Sequence, residues 1–306
     1  MGDLGYKLKV LRQIGLIKAA SPPKMIGAVK QLKKWGPGFP AGINAAAKRY
    51  PKQIAIIDDE GELTFAELVK QVNQFTEVLR ERGLQEGDSI ALLGRNHRYF
   101  VIALIAIVQL GARVLLLNTM ASKAQLTDLA EREGAELLIV DEEFLPLVDE
   151  VRRSRLIVAW ADDKENLEVP TIANVILGKP HGDQPVPKSR GQIVIFTSGT
   201  TGLPKGAKRR EPDDLKPMIA YFGAIPFTGN SVVVVAAPLF HSWGLLNFGF
   251  AQTTVPTVVL RRRFDPEQTL ADIEKYRAKV LVVVPLMVQR LANLPDEVSS
   301  KYDVSS

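Results

Sequence analysis

Residues 196–206 read FTSGTTGLPKG, and the reading of this stretch decides both the fold and the chemistry expected of the chain. Its eleven residues hold three glycines, three threonines, a serine, a proline and one lysine. They follow an apolar run, Ile193, Val194 and Ile195, that has the character of a buried strand end. Glycines let backbone amides close on an anion, hydroxyls add short donors, and the lysine adds a mobile positive charge, so the composition suits phosphate. The ordinary P-loop is excluded, because GxxxxGK followed by Ser or Thr would need a glycine where Pro204 stands. A Gly/Thr linker between domains is the competing reading, but linkers seldom close on an ordered PKG directly after a strand.

All the signature positions of this stretch resemble those of the adenylate-forming superfamily, which includes acyl-CoA synthetases, luciferases and the adenylation domains of peptide synthetases. The common form there is Tyr or Phe followed by TSGTTGxPKG. The resemblance implies a mobile loop holding the β- and γ-phosphates of ATP while a carboxylate attacks the α-phosphate. It implies phosphate contacts from Thr197, Ser198, Thr200, Thr201 and Lys205, with Gly199, Gly202 and Gly206 letting the backbone fold around them. Lys205 would act as a catalytic cation, and Thr200 would take the Mg²⁺ ion.

A second stretch, AAPLFHSWGLLNF at 236–248, sets a polar HSW inside an apolar run. Taken by itself it reads as a core histidine satisfied by a carbonyl, since a buried imidazole needs a partner. It also resembles the PLFHxxG pattern of acyl-CoA synthetases at this distance from the phosphate loop. That match implies His241 near the reacting carboxylate, with Trp243 and Leu245 walling or gating the acyl tunnel. The segments FDPEQTLADIEKY at 264–276 and VVVPLM at 282–287 resemble the same family, and the latter makes Leu286 and Met287 acyl-pocket candidates. LTFAEL at 63–68 and GARVLLLN at 111–118 add weaker matches in the right order. The run Arg261, Arg262 and Arg263 reads as a surface edge, and Lys208, Arg209 and Arg210 as a solvated face.

Composition narrows the rest. With 306 residues, 46% hydrophobic and 24% charged, the chain has material for a large core and more than one lobe. It has no cysteine, which excludes disulfides, thiolate metal sites and a cysteine nucleophile, and its three histidines make no cluster. A cytoplasmic setting fits this usage and the absence of a compact apolar leader. The most apolar segment, 101–110, is cut off by Gly111 and Arg113 and reads as a core helix. The formal net charge is +5, yet residues 1–40 carry eight Lys or Arg against Asp3 alone. Rough helical stripes there (Leu8, Leu11 and Ile14; Met25, Ile26, Val29 and Leu32) make a basic amphipathic arm. Such an arm either packs its apolar side on the body or lies on an anionic membrane surface. It lacks the arginines and repeated aromatics of a nucleic-acid binder.

Along the chain, helices are expected near 43–50, 64–83, 99–110, 122–133, 144–152, 214–222 and 266–277, and strands at 53–57, 89–93, 113–117, 137–140, 156–160, 192–196, 232–236, 258–260 and 280–284. Strand–helix–strand alternation with short connections predicts parallel-rich α/β layers. The expected organisation is an arm at 1–40, one α/β subdomain at 41–185 and a second at 186–306, joined through the polar, Pro-rich 161–190. The resemblance implies ATP-dependent activation of a fatty carboxylate to acyl-AMP and then acyl-CoA. The family's ribose-binding TGD and the adenine segment ending in Thr-Glu are not found here, so a truncated, impaired synthetase is expected. The alternative is a non-catalytic nucleotide- or partner-binding fragment.

Overall fold

The computed structural model of the chain describes residues 3–14, 22–36, 38–163, 167–197, 205–208, 216–225 and 228–306. Three helices lead it: α1 (Asp3–Gln13), α2 (Pro22–Trp35) and α3 (Phe39–Arg49). α3 begins earlier than the expected 43, because Pro40 sits in its first turn, where no intrahelical N–H bond is lost. A hairpin follows, β1 (Ile54–Asp58) and β2 (Gly61–Thr64), and leads straight into α4 (Phe65–Glu81). The middle of the chain gives β3 (Ser89–Leu93), α5 (Arg98–Leu110), β4 (Arg113–Leu116), α6 (Lys123–Arg132), β5 (Ala135–Val140), β6 (Leu156–Val158), the short α7 (Ile172–Val175), β7 (Gln192–Thr197) and β8 (Lys205–Lys208). The last part gives α8 (Lys216–Ala224), β9 (Val232–Val235), α9 (Ser242–Thr253), β10 (Thr257–Leu260), α10 (Pro266–Tyr276), β11 (Val280–Val282), α11 (Pro285–Ala292) and α12 (Asp296–Ser299). The helix expected at 144–152 is instead two 3₁₀ segments, Glu142–Leu147 and Arg153–Arg155, since Pro146 supplies no N–H for a longer helix.

Two sheets organise these elements. One has six strands in the order β6-β5-β3-β4-β7-β8, parallel except for β8, and the other has five in the order β11-β9-β10-β1-β2, parallel except for β2. The parallel-rich α/β class is therefore as expected, but the sheets do not divide at residue 185. β1 pairs in parallel with β10, and β7 pairs in parallel with β4. The chain forms two compact units, Met1–Ala66 with Glu211–Leu239 and Trp243–Ser306, and Glu67–Arg210 with Phe240–Ser242. Pairing partners far apart in sequence leave no local trace, so sequence order alone suggested consecutive halves.

In the six-stranded unit α5 is buried on every side, as its run of apolar residues requires. His97 caps its first turn, its Nδ1 accepting from the Phe100 amide at 3.2 Å, and Gly111 ends it in the left-handed conformation at φ 88°. Among the described residues no helix is long and apolar enough to cross a membrane. The segment expected to link two lobes is fastened to α4 of this same unit. Asn73 donates to the carbonyls of His181 and Gly182 at 3.2 and 3.1 Å, Gln74 donates to that of Lys179 at 2.9 Å, and Gln109 donates to Asn73 at 3.0 Å.

The carboxyl ends of β3 and β5 carry a buried polar knot. Fully buried His97 and Asp141 meet at 2.8 Å through Nε2 and Oδ1, and Oδ2 accepts from the Arg95 amide at 2.8 Å. With Nδ1 accepting from Phe100, it is Nε2 that carries the proton and donates to Asp141. Arg95 closes the outside of the knot with a two-pronged bond to Glu143 at 2.6 and 2.7 Å, which raises its pKa above the ordinary value.

In the five-stranded unit Arg261 is not the surface-edge residue expected of the triple arginine. Its guanidinium grips buried Asp272 on α10 at 2.8 and 2.7 Å and reaches Asp59, just past β1, at 3.0 Å. The Asp272 bonds hold the Arg261 pKa well above its usual range. This ties α10 to the carboxyl ends of β10 and β1.

Candidate active site

The phosphate stretch is rooted in a hairpin. β7 lies parallel to β4, with Leu116 opposite Ile195, and buries Val194 and Ile195. β8 then returns antiparallel, with Phe196 opposite Gly206 and Thr197 opposite Lys205. The ladder closes on the first and last polar residues of the loop, whose Cα atoms in such a pair stand about 5 Å apart. β8 was missing from the sequence reading because Lys205–Lys208 is short and half polar, as edge strands are. The loop leaves from the carboxyl end of a parallel strand, the edge on which open α/β sheets take up ligands. Of the expected phosphate contacts, Ser198, Gly199, Thr200, Thr201 and Gly202 lie outside the described residues, while Thr197, Lys205 and Gly206 are described in their backbone.

The PLFHSWG stretch leaves the carboxyl end of β9. The amides of Ala236 and Ala237 donate to the Val282 carbonyl at 3.0 and 2.9 Å, extending the β9–β11 pairing past its last ladder pair. α9 begins at Ser242, one residue beyond His241, which is exposed. Gly244 explains the glycine of the motif. A Cβ there would stand 2.2 Å from the Pro238 carbonyl oxygen and 2.7 Å from that of Ala237, so only hydrogen lets the first turn of α9 sit on this bend. Replacing Gly244 with alanine is expected to cost about 1–3 kcal/mol by forcing that turn outward, read as a lowered denaturant midpoint.

The structure brings two of the separately read stretches together. Trp243 Nε1 donates to the Val283 carbonyl at 2.9 Å, which fixes the indole beside the segment entering α11, where Leu286 and Met287 lie. Trp243 and Leu286 keep 43% and 65% exposure, and Met287 is partly buried. Leu245, expected at the wall of the acyl tunnel, is 3% exposed and sits in the core. Two further polar residues were not singled out from the sequence. Buried Asn247 donates to the Trp243 carbonyl at 2.8 Å and accepts from the Tyr221 hydroxyl, and burial pushes the Tyr221 phenol pKa up. The available signal was a lone asparagine inside the apolar run 244–250. Among the described residues no three His, Asp or Glu gather as a metal site.

Comparison with known proteins places this arrangement. The family model described as AMP-binding enzyme matches residues 43–306. A 2-succinylbenzoate--CoA ligase of Bacillus licheniformis is 30% identical over 260 residues, covering 83% of this chain and 51% of that protein. The inhibitor-bound N-terminal domain of FACL13 from Mycobacterium tuberculosis shares the fold with a TM-score of 0.74 at 21% identity, over 86% of this chain and 66% of that one. So does O-succinylbenzoate coenzyme A synthetase (MenE) from Bacillus subtilis, solved with ATP and magnesium ion, with a TM-score of 0.66 at 22% identity over 84% of this chain and 67% of that one. The chain thus spans about half the length of the curated relative it matches. A family match over most of the sequence, on a hairpin-rooted loop and a β9–α9 bend formed by its two motifs, makes this chain a member of the AMP-binding enzyme family.

Proposed function

We propose that this chain supplies the nucleotide- and acyl-facing part of an acid–thiol ligase. In the first step a carboxylate oxygen attacks the α-phosphorus of ATP and pyrophosphate leaves. In the second the sulfur of coenzyme A attacks the acyl carbon and AMP departs. Negative charge gathers on the phosphates in the first step, so fixed amides, hydroxyls and a cation aimed at them lower the barrier. On this reading Thr197, Ser198, Gly199, Thr200, Thr201, Gly202, Lys205 and Gly206 cradle the β- and γ-phosphates. Mg²⁺ would neutralise part of that charge, with Thr200 as the candidate hydroxyl beside it. His241 takes the place beside the reacting carboxylate, with Trp243, Leu286 and Met287 around the acyl group and Leu245 behind them in the core.

The observation that carries this reading is the register of β7 and β8. It seats Thr197 and Lys205 side by side at the carboxyl edge of a parallel sheet. Trp243, Leu286 and Met287 favour an acid with an apolar body, and a fatty acid remains the proposed substrate. The relative named for 2-succinylbenzoate widens the set of acids worth assaying to aromatic ones.

Binding of ATP with Mg²⁺ to the 306-residue chain, followed by calorimetry, tests the proposal. Lys205→Ala is expected to weaken binding about tenfold to a hundredfold, the size of one charge-assisted phosphate contact. ATP affinity unchanged by the substitution would refute the cradle. Binding with no acid-dependent release of pyrophosphate would identify the chain as a nucleotide-binding part that does not complete the ligase step by itself.

A further inference from the structure

α2 packs the wrong way round for an ordinary surface helix. It meets α3 through its small residues: Ala28 is buried, and Gly27 lies against the Lys48 side chain, where even a Cβ would stand 3.6 Å away. Its large apolar side chains face out, with Ile26 57%, Val29 43% and Leu32 46% exposed. At about 100° per residue, Met25, Ile26, Val29 and Leu32 span most of the outward face, with Lys33 set among them and Lys30 and Lys34 along one flank. Of the two placements open to this stripe, against the body or away from it, the structure shows the second.

The charge around this face selects its occupant. No acidic residue occurs between Asp3 and Asp58, and α2 itself carries four lysines and no acid. A second copy docking through the same face would set lysine against lysine, which disfavours self-association. We propose that the outward face of α2 binds an anionic lipid surface. Met25, Ile26, Val29 and Leu32 would sink to the headgroup–acyl boundary and the lysines would meet lipid phosphates and carboxylates. This does not depend on the nucleotide reading. It supplies a physical reason for a chain that otherwise carries 31 basic and 33 acidic residues to concentrate its positive charge in residues 1–40.

Co-sedimentation of the whole 306-residue chain with phosphatidylserine–phosphatidylcholine vesicles, against phosphatidylcholine alone, tests the proposal. Binding is expected to the anionic vesicles and to weaken with added salt. Lys30→Gln with Lys33→Gln should lower the partition coefficient about 30-fold, and Ile26→Asn with Val29→Asn should abolish binding at the same salt. These positions are exposed, and unchanged thermal unfolding of each variant establishes that it is folded. No binding to anionic vesicles, equal binding to neutral ones, or indifference to either double substitution overturns the proposal. So does a dimer, seen by light scattering, that these substitutions dissolve while vesicles leave it intact.

Discussion

Asp141→Ala is expected to lower the unfolding free energy by about 3–5 kcal/mol. Both carboxyl oxygens are in use, one accepting from His97 Nε2 and the other from the Arg95 amide, and His97 and Asp141 sit where water does not replace a lost partner. Alanine would leave the buried His97 donor unsatisfied and take the acceptor from the part-buried Arg95 amide. Asparagine should recover less than half of the loss, because it offers one oxygen and turns an NH₂ toward a group that also donates. The damage would fall near the proposed nucleotide site: the order β5-β3-β4-β7 puts the end of β3 only two strands, about 10 Å, from the root of the phosphate loop. Urea unfolding of parent, Asp141→Ala and Asp141→Asn decides the matter. An alanine variant within 1 kcal/mol of the parent would mean that the knot contributes little.

A loss of similar size, about 3–5 kcal/mol, is expected from Asp272→Ala, by a different route. Here the group left behind is a guanidinium, which stays charged and would lose both prongs of its grip while Asp59 retains one contact. The double variant Arg261→Met with Asp272→Leu should be more stable than Asp272→Ala alone, since replacing a buried ion pair by apolar side chains removes the stranded charge. Additive losses in a double-mutant cycle would contradict that coupling. The carboxyl edge held by Arg261 is the edge from which the PLFHSWG stretch departs, because Leu260 is paired with Val235. Asp272→Ala is therefore also expected to loosen the β9–α9 bend, visible as faster hydrogen exchange at the Ala236 and Ala237 amides.

What the sequence disclosed, and what it withheld, follows from the range of the forces involved. β3 was legible to the residue because four consecutive apolar side chains, Ile90 to Leu93, follow Ser89 and are buried on both faces of a central strand. α6 was legible because Ser122 and Gln125 form a capping box within four residues of each other. The β2 and β8 strands escaped because each is four residues long, carries glycine and charge, and is held by a neighbour rather than by its own pattern. The outward turn of α2 escaped for another reason. Periodicity marks an apolar stripe but not what the stripe meets, and the face of α2 that meets α3 is made of the small residues Gly27 and Ala28, which carry no apolar pattern of their own. Of the candidate site, the chemistry of residues 196–206 was readable from composition and order. The hydrogen bond from Trp243 to Val283 joins residues forty positions apart and was not readable.

The pairing of β1 with β10 also sets a schedule for synthesis. β1 leaves the ribosome about 200 residues before the strand it must lie beside, which at roughly 5–20 residues per second is a wait of about 10–40 s. During that interval the nascent hairpin carries an uncovered Ile54–Asp58 edge, rich in isoleucine, that other chains could capture. Faster translation, or a chaperone that holds this edge until Thr257–Leu260 emerges, should raise the yield of folded protein, whereas a ribosome stalled between the two strands should drive the nascent chain into aggregates.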